Sequence, residues 1–338
     1  MEIKTQTVVR PGELPGARIG LKTSILTVGS CFADNMAEVL TARGFDIVGN
    51  PYGQIFNPVS CSQALGHSLE EGYDASARCL LTAQGWRSYD HSSAFGGETR
   101  AALLTKISRV HGMVRQELPR IEWLFLTLGS ADVYELADGY VVSNCHKQPS
   151  GLFTRRMLSV EEIVSALTQL LEQVFSIGRA GLRVMLTVSP VRHTLGDLHR
   201  HELSKSRLLL ACEALAEAFG PRIYYFPAYE IVMDELRDYR YYAEDMAHPS
   251  RLAVQIIAER LLETCMETGE KETWAKVLEL RRELAHRQLD SSPAGRAQRL
   301  GYLEGPTSAA LEALRPKLST RAFERLALEL AAAKGALR

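Results

Sequence analysis

The chain has 338 residues, of which 46% are hydrophobic and 23% charged, and its formal net charge is −1. This near-neutral balance gives no electrostatic reason to expect a nucleic acid or an acidic polymer as partner. The six cysteines lack close-paired spacing, so neither a zinc knuckle nor a dense disulfide framework is indicated. No apolar run is long enough to span a bilayer, and residues 1–5 lack the apolar core of a signal peptide. We therefore expect a cytoplasmic protein.

Strand and helix patterns alternate along most of the chain. Short apolar, often β-branched runs predict strands over residues 24–28, 45–48, 122–128, 182–188 and 222–226. Apolar residues at helical spacing predict helices over residues 32–43, 160–177, 202–219 and 252–261. Alternation of this kind predicts a three-layer α/β/α sandwich around a five-stranded, mostly parallel sheet.

Two segments depart from this alternation. Residues 58–120 mix glycine and serine with Trp86, Tyr89 and His91 and show no clean period, which predicts a lid-like insert after the second strand. Beyond residue 268 the pattern becomes helical, with a linker at residues 291–295. We predict a main domain over residues 1–268 and a helical extension over 269–338. The extension would pack on the main domain or on a second subunit, which would make the protein a homo-oligomer.

A Gly29-Ser30-Cys31 step joins the first predicted strand to the first predicted helix. Glycine permits a tight turn, and a serine there presents its hydroxyl near helix N–H groups that favour developing negative charge. Ser30 is therefore either a nucleophile or an N-cap of the helix. Cys31 is the alternative nucleophile, because helix N-termini activate thiolates, but its side chain should face the packed side of the helix.

An Asp-x-x-His pair, Asp245 and His248, follows the last predicted strand. Histidine is the usual general base, and an aspartate three residues earlier can fold back to fix its tautomer. The pair lies on a loop that enters a helix, and Pro249 suits the first turn of that helix. Because the strands of a parallel sheet end at one edge, we expect this pair and Ser30 to meet there.

Several blocks in order along residues 23–265 resemble the GSCFA family, a branch of the SGNH-hydrolase superfamily. The blocks are Val28-Gly29-Ser30-Cys31-Phe32-Ala33-Asp34, residues 50–58, Leu126-Thr127-Leu128-Gly129-Ser130, residues 144–149, residues 188–193 and residues 242–250. The resemblance implies an SGNH or flavodoxin-like fold and no cofactor.

The resemblance also assigns Ser30 as nucleophile, His248 as base and Asp245 as the residue that orients the base. It implies a serine hydrolase that cleaves a small-molecule or carbohydrate acyl ester through an acyl-serine intermediate. An acyltransferase that passes the acyl group to a sugar or small alcohol remains an alternative, as does a non-catalytic binding protein.

Attack on an ester requires hydrogen-bond donors for the oxyanion. The candidate donors are the backbone N–H groups of Ser30 and Gly53 and the side-chain amide of Asn144. The superfamily usually carries Gly-x-Asn-Asp after its third strand, whereas this chain has Ala131 where the asparagine belongs. Asn144 is therefore either the replacement donor or an asparagine that stabilises a turn.

Three further residues in family-like blocks are candidates for substrate binding. His146 and His193 follow the third and fourth strands and would bind polar groups or make structural hydrogen bonds. Arg192 would hold an anionic group or simply carry surface charge.

A metal-dependent hydrolase is the competing class, because imidazole and carboxylate groups crowd one segment at His193, Asp197, His199 and His201. Their spacing does not repeat helically, so we expect solvated surface side chains and no metal site.

Overall fold

The computed structural model describes residues 7–286 and 292–337. Within them the strands are, in chain order, β1 (Ser24–Gly29), β2 (Asp46–Gly49), β3 (Cys79–Thr82), β4 (Gly85–Ser88), β5 (Trp123–Leu128), β6 (Asp132–Glu135), β7 (Val141–Val142), β8 (Thr154–Met157), β9 (Arg183–Val188) and β10 (Ile223–Tyr225). The helices are α1 (Cys31–Ala42), α2 (Pro58–Leu69), α3 (Arg100–Glu117), α4 (Val160–Ile177), α5 (Leu198–Phe219), α6 (Ala228–Glu230), α7 (Arg251–Cys265), α8 (Lys271–Ala285), α9 (Pro293–Tyr302), α10 (Ser308–Leu314) and α11 (Thr320–Gly335).

Strands β2, β1, β5, β9 and β10 form the central sheet in that order, and every neighbouring pair is parallel. This is the doubly wound flavodoxin-like order: β2 is added on one side of β1, and the later strands β5, β9 and β10 are added on the other side. All five predicted strands are present, and none of their ends is shifted by more than one residue. The prediction of an α/β sandwich with a five-stranded sheet is confirmed.

Alternate residues of the sheet enter two separate apolar clusters, as the period of a strand requires. Ile25 and Phe125 pack on one face with helices α1 and α7, whereas Leu26 and Leu126 pack on the other with α2, α4 and α5. Strand β5 is buried at every position because it lies at the centre of the sheet between two helical layers.

The range 58–120 contains two helices, although its sequence shows no clean apolar period. Helix α2 packs against α4 in the helical layer, and its buried face combines Pro58 and Leu65 with the small or polar residues Ser60, Cys61, Ala64 and Ser68. Such a face gives little apolar signal. The hairpin β3–β4 and helix α3 complete the range, and a lid-like role for it stays a prediction.

The C-terminal helices pack in the same apolar cluster as α1 and β2. Val277 of α8 and Leu326 of α11 are buried there beside Phe45 and Ile47. The guanidinium of Arg325 donates a 3.2 Å hydrogen bond to the carbonyl of Ile47 in β2. The predicted domain boundary and the homo-oligomer stay predictions, and residues 287–291 and 338 of the predicted extension lie outside the described residues.

No helix in the described part of the chain combines the length and the apolarity that a bilayer span requires.

Candidate active site

The turn between β1 and α1 places Ser30 at the carboxyl edge of the sheet. Gly29 has φ +148°, and a Cβ atom there would lie 2.2 Å from the carbonyl oxygen of Thr127, so glycine is required. Ser30 caps α1, since its hydroxyl accepts a 3.3 Å hydrogen bond from the N–H of Phe32. The residue is only 1% exposed. The N-cap role is therefore realised, and the hydroxyl lies beneath the surface.

Asn50 fixes this turn from the end of the neighbouring strand. Its side-chain oxygen accepts from the N–H of Gly29 at 3.0 Å, and its amide nitrogen donates to the carbonyl of Gly29 at 3.1 Å. The same nitrogen donates to Asp34 at 2.8 Å. Asn50 is buried and adopts φ +39°, a conformation that asparagine tolerates better than most residues. One amide thus holds both sides of the glycine that precedes Ser30.

Cys31 lies next to Ser30 but is not in an environment that favours a thiolate. Burial, followed by the Asp34 carboxylate, raises the pKa of the Cys31 thiol above its ordinary value. A reactive cysteine needs the opposite shift.

Asp245 and His248 form the predicted pair. One carboxylate oxygen of Asp245 lies 2.6 Å from Nδ1 of His248, and the other accepts from the N–H groups of Ala247 and His248. Met246 between them adopts φ +56°, which closes the turn. Hydrogen bonds from the N–H groups of His248 and Ala247 and from the His248 ring hold the pKa of Asp245 at about 2. The carboxylate is therefore ionised at neutral pH.

This geometry leaves Nε2 of His248 without a hydrogen-bond partner in the described chain. The loop is anchored to the segment that follows β9, because the N–H of Arg192 donates to the carbonyl of Ala247 at 2.9 Å. No hydrogen bond joins His248 to Ser30 among the described residues, and the His248 side chain is 46% exposed.

The two predicted backbone donors of the oxyanion site are engaged within the chain. The N–H of Ser30 donates to the carbonyl of Thr127 at 3.2 Å, and that of Gly53 donates to the carbonyl of Asn50 at 2.8 Å. Asn144 accepts from the N–H of His146 at 2.7 Å through its side-chain oxygen, as a turn asparagine does. Its amide nitrogen has no partner in the described chain, which makes it the unoccupied donor of the three.

A cavity of about 440 Å³ lies next to the loop that follows β5; Ser130 lines it, whereas Ser30 and His248 do not. Phe56 and Ser130, which both line it, are joined by a 2.9 Å hydrogen bond from the Ser130 N–H to the Phe56 carbonyl. Gly129 is close both to Phe56 of the cavity wall and to Ser30. A Cβ atom on Gly129 would lie 3.0 Å from the Phe56 carbonyl oxygen and 3.3 Å from the Cβ of Ser30. Asn144 and His193 also line the cavity.

Helix α5 presents a polar face to the loop that follows β5. Lys205 is fully buried, and its Nζ lies 2.6 Å from the carbonyl oxygens of both Gly129 and Ser189, at the ends of β5 and β9. Ser204 accepts from the N–H of Ala131 at 2.8 Å. Two adjacent residues of α5 therefore fix the loop beside the Ser30 turn.

Asp132 ends the same loop in a cluster of basic side chains. Arg200 of α5 bonds its carboxylate, Arg155 of β8 lies 3.1 Å away, and His193 lies 3.5 Å away. Burial opposes ionisation, but hydrogen bonds from His193 and Arg200 and the charges of both arginines hold the pKa of Asp132 well below its usual range.

The predicted substrate-binding residues do not converge on one site. His193 lines the cavity next to the loop that follows β5, but the ring of His146 is buried with Nε2 2.7 Å from the carbonyl oxygen of Ser88. Arg192 lies over the ring of Tyr242, 4.0 Å from its centroid, and lines a separate cavity of about 200 Å³. A role in binding substrate stays a prediction for all three, and only His193 lines the larger cavity.

The four residues considered as metal ligands have separate partners. Nδ1 of His201 lies 3.3 Å from Nδ1 of His193, Asp197 caps α5, and His199 is exposed. In residues 7–286 and 292–337 no three histidine, cysteine or carboxylate side chains are arranged to hold a metal ion.

Comparison with protein families places these residues in a known group. A model of the GSCFA family matches residues 24–261, a range that includes Ser30, Asp245 and His248. The chain belongs to the GSCFA family. The match ends before helices α8–α11, so the extension lies outside the family region.

Two further comparisons add little to the GSCFA assignment. A solved structure from Streptococcus pneumonia, described as "a putative platelet activating factor", aligns at 12% identity with a TM-score of 0.38. The alignment covers 72% of this GSCFA chain and 83% of that one. Comparison with curated proteins yields no match.

Three residues of this GSCFA protein have structural roles that the sequence did not predict: Asn50, Asp132 and Lys205. A signal for Lys205 was available, because it lies three residues before Leu208 on the buried face of α5. A lysine on an apolar helix face requires buried partners. Asn50 follows a predicted strand and stands in a family block, but its contact with Gly29 depends on the strand order.

Proposed function

We propose that this GSCFA-family protein is a serine hydrolase of the SGNH type, which cleaves an acyl ester through an acyl-serine intermediate on Ser30. The observation that carries the proposal is the orientation of His248. Asp245 holds its Nδ1 at 2.6 Å, so that the unpaired Nε2 is the nitrogen available as a base. The Ser30 turn follows β1 at the carboxyl edge of the central sheet, where ligand sites form in doubly wound folds.

In the proposed reaction, Nε2 of His248 takes the proton of the Ser30 hydroxyl while the oxygen attacks the ester carbonyl carbon. The carbonyl π electrons move to the oxygen, and the amide of Asn144 supports the oxyanion. The C–O bond to the alcohol then breaks, and the imidazolium returns its proton to the leaving oxygen. Water repeats the sequence on the acyl-serine and releases the carboxylic acid.

The first step requires a rearrangement at Ser30. Its hydroxyl must give up the 3.3 Å hydrogen bond from the N–H of Phe32 and approach the imidazole. Catalytic hydrogen bonds are often long or unformed in the absence of substrate, so the separation of the two groups is compatible with the proposal. Since losing an oxyanion donor costs about 3–4 kcal/mol of barrier, release of the Ser30 N–H from Thr127 would also favour the reaction.

The proposal is tested by labelling the protein with a fluorophosphonate probe and by turnover of 4-nitrophenyl acetate. Ser30→Ala and His248→Ala should each abolish both signals, whereas the matched control Cys31→Ala should keep most of them. Labelling that persists in Ser30→Ala and disappears in Cys31→Ala would transfer the nucleophile to the thiol. No labelling of a folded wild-type protein would favour a binding protein.

The same intermediate would also serve an acyltransferase. Adding a sugar or a small alcohol to the turnover assay measures how the acyl group is divided between water and acceptor. Free acid as the main product supports the hydrolase, and an ester of the added acceptor supports the transferase.

A further inference from the structure

The cavity next to the loop that follows β5 is lined by the guanidinium of Arg155, whose carboxylate partner Asp132 is shared with a second arginine, Arg200. Apart from the phenol of Tyr134 and the thiol of Cys145, whose pKa burial raises to about 11, its titratable lining residues in the described chain are Asp132, Arg155 and His193. Burial lowers the pKa of His193 and so disfavours the charged form of its ring. The charge of the cavity therefore depends on Asp132 and Arg155, and on the charged residues outside the cavity that bond them.

Arg200 neutralises Asp132 from outside the cavity. Its Nε lies 2.9 Å from one carboxylate oxygen and 3.2 Å from the other, and its terminal nitrogen also bonds the carboxylate. Arg155 makes one bond to the same group, at 3.1 Å through one terminal nitrogen. Two arginines thus share one carboxylate, and the charge of Arg155 is the one left without a full partner.

Asp197 caps α5 and its charge acts on Arg200, and the acidic residues next to β8 do not bond Arg155. Glu135 and Glu162 both bond Arg156, the next residue of β8, at 2.8 Å. Because successive residues of a strand point to opposite faces, Arg156 and its two carboxylates lie on the other side of β8 from Arg155. Arg156 is accordingly absent from the cavity lining.

The cavity also contains unused polar groups between aromatic walls. The amide nitrogen of Asn144 has no partner in the described chain, and the hydroxyl of Ser143 is buried without one. The rings of Tyr134 and Phe153 meet edge to face at 6.4 Å along the wall. An arginine with free donors, an unpaired amide and an aromatic wall together fit a ligand that joins an anionic oxygen group to an apolar body.

We propose that this cavity binds an anionic oxygen group, a carboxylate or a phosphate, through Arg155, and that the protein acts on esters that carry such a group. The second clause rests on the proposed hydrolase function, whereas the first is a statement about binding alone. Asn144 would donate to the same ligand, and Tyr134 and Phe153 would contact its apolar part.

The binding statement is tested on the full chain by ligand-observed NMR titration with three probes: 4-phenylbutyrate, phenyl phosphate and the neutral 4-phenylbutyramide. The wild-type protein should bind at least one of the anions about tenfold or more tightly than the amide, as expected for a charge-assisted hydrogen bond. The stronger anion identifies the group. Equal binding of all three probes would overturn the proposal.

Variants assign the effect to Arg155. Arg155→Met should remove the preference for the anion, and Arg155→Lys should retain part of it. Arg179→Met is the matched control, since Arg179 also faces an acidic residue, Glu122, but stands before β9 at the opposite edge of the sheet. Retention of the full preference in Arg155→Met would overturn the proposal.

A second variant covers the case in which Arg155→Met does not fold. Asn144→Asp keeps the oxygen that accepts from His146 and introduces a negative charge into the cavity. The substitution should lower the affinity for the anionic probe by about tenfold and leave the affinity for 4-phenylbutyramide unchanged. Unchanged anion binding in a folded Asn144→Asp protein would contradict the proposal.

Labelling of Ser30 separates this inference from the proposed function. A saturating anion should slow fluorophosphonate labelling in the wild type and not in Arg155→Met. Normal labelling of Ser30 without selective anion binding would contradict the anion site and still support the hydrolase function. Selective anion binding through Arg155 in a protein whose Ser30 is never labelled would contradict the hydrolase function and still support the anion site.

Discussion

Lys205 lies beneath the candidate site and binds Gly129, with its Nζ 2.6 Å from the carbonyl oxygen of that residue. A second bond of 2.6 Å reaches Ser189, so that one side chain joins the ends of the two central strands β5 and β9. Burial lowers the pKa of this amine from 10.5 to about 7. The fold therefore favours the neutral amine, which still donates to both carbonyl groups.

This lowered pKa predicts a pH-dependent stability. Between about pH 7 and pH 10.5 the unfolded chain holds the Lys205 proton and the folded chain does not. Stability should then rise with pH through this window, by at most about 1.4 kcal/mol per unit. Denaturant unfolding at pH 7.5 and 9.5 should show that Lys205→Met lacks this rise, whereas Lys276→Met, an exposed control, keeps it. Identical pH slopes for the wild type and Lys205→Met would refute the assignment.

Asn50→Asp tests the clamp around Gly29. The change removes the donor to the Gly29 carbonyl and sets a carboxylate against Asp34. We expect a loss of about 1–3 kcal/mol in the free energy of unfolding, together with slower labelling of Ser30. Adding Asp34→Asn should recover part of the loss, because it supplies an amide that can donate to the new carboxylate. An Asn50→Asp protein with the wild-type free energy of unfolding would show that the Asn50 contacts do not stabilise the fold.

Gly29→Ala tests the steric requirement of the turn. The added methyl group would meet the Thr127 carbonyl oxygen at 2.2 Å in a backbone conformation that L-residues rarely adopt. Thermal or denaturant unfolding should show a loss of more than about 1 kcal/mol. Gly66→Ala in α2 is the control with the opposite sign, since its methyl group meets nothing within 4 Å and should add about 0.5–1 kcal/mol. Equal effects at the two glycines would contradict the geometry.

Asp245→Asn tests the tautomer of His248. The asparagine oxygen can keep the bonds from the Ala247 and His248 N–H groups, but its NH₂ group would donate to Nδ1 and move the ring proton to Nε2. A ring in that tautomer cannot accept the Ser30 proton. Fluorophosphonate labelling should fall by roughly 10³-fold to 10⁴-fold while the circular dichroism spectrum stays unchanged. Labelling at the wild-type rate would exclude His248 as the base.

Features encoded locally were predictable from the sequence. Strands β1, β5 and β9 appear as apolar runs because they are buried on both faces, and the Asp245–His248 bond spans only three residues. Helix α2 was missed because Ser60 and Ser68 occupy its buried face.

Contacts between distant segments were not predictable in the same way. Arg200 reaches Asp132 across 68 residues, and Arg192 turns toward Tyr242 instead of the cavity that its neighbour His193 lines. The loop position of each residue could be inferred, but the direction of its side chain depends on packing that no local pattern specifies.

The bond from Arg325 of α11 to the carbonyl of Ile47 has a consequence for self-association. Strand β2 is an edge strand that pairs with β1 on one side only, and the Arg325 side chain occupies one of its backbone carbonyls. A strand left open there would offer its backbone groups to a second chain. By occupying a backbone acceptor of this edge, helix α11 makes the pairing of β2 with a second chain less favourable.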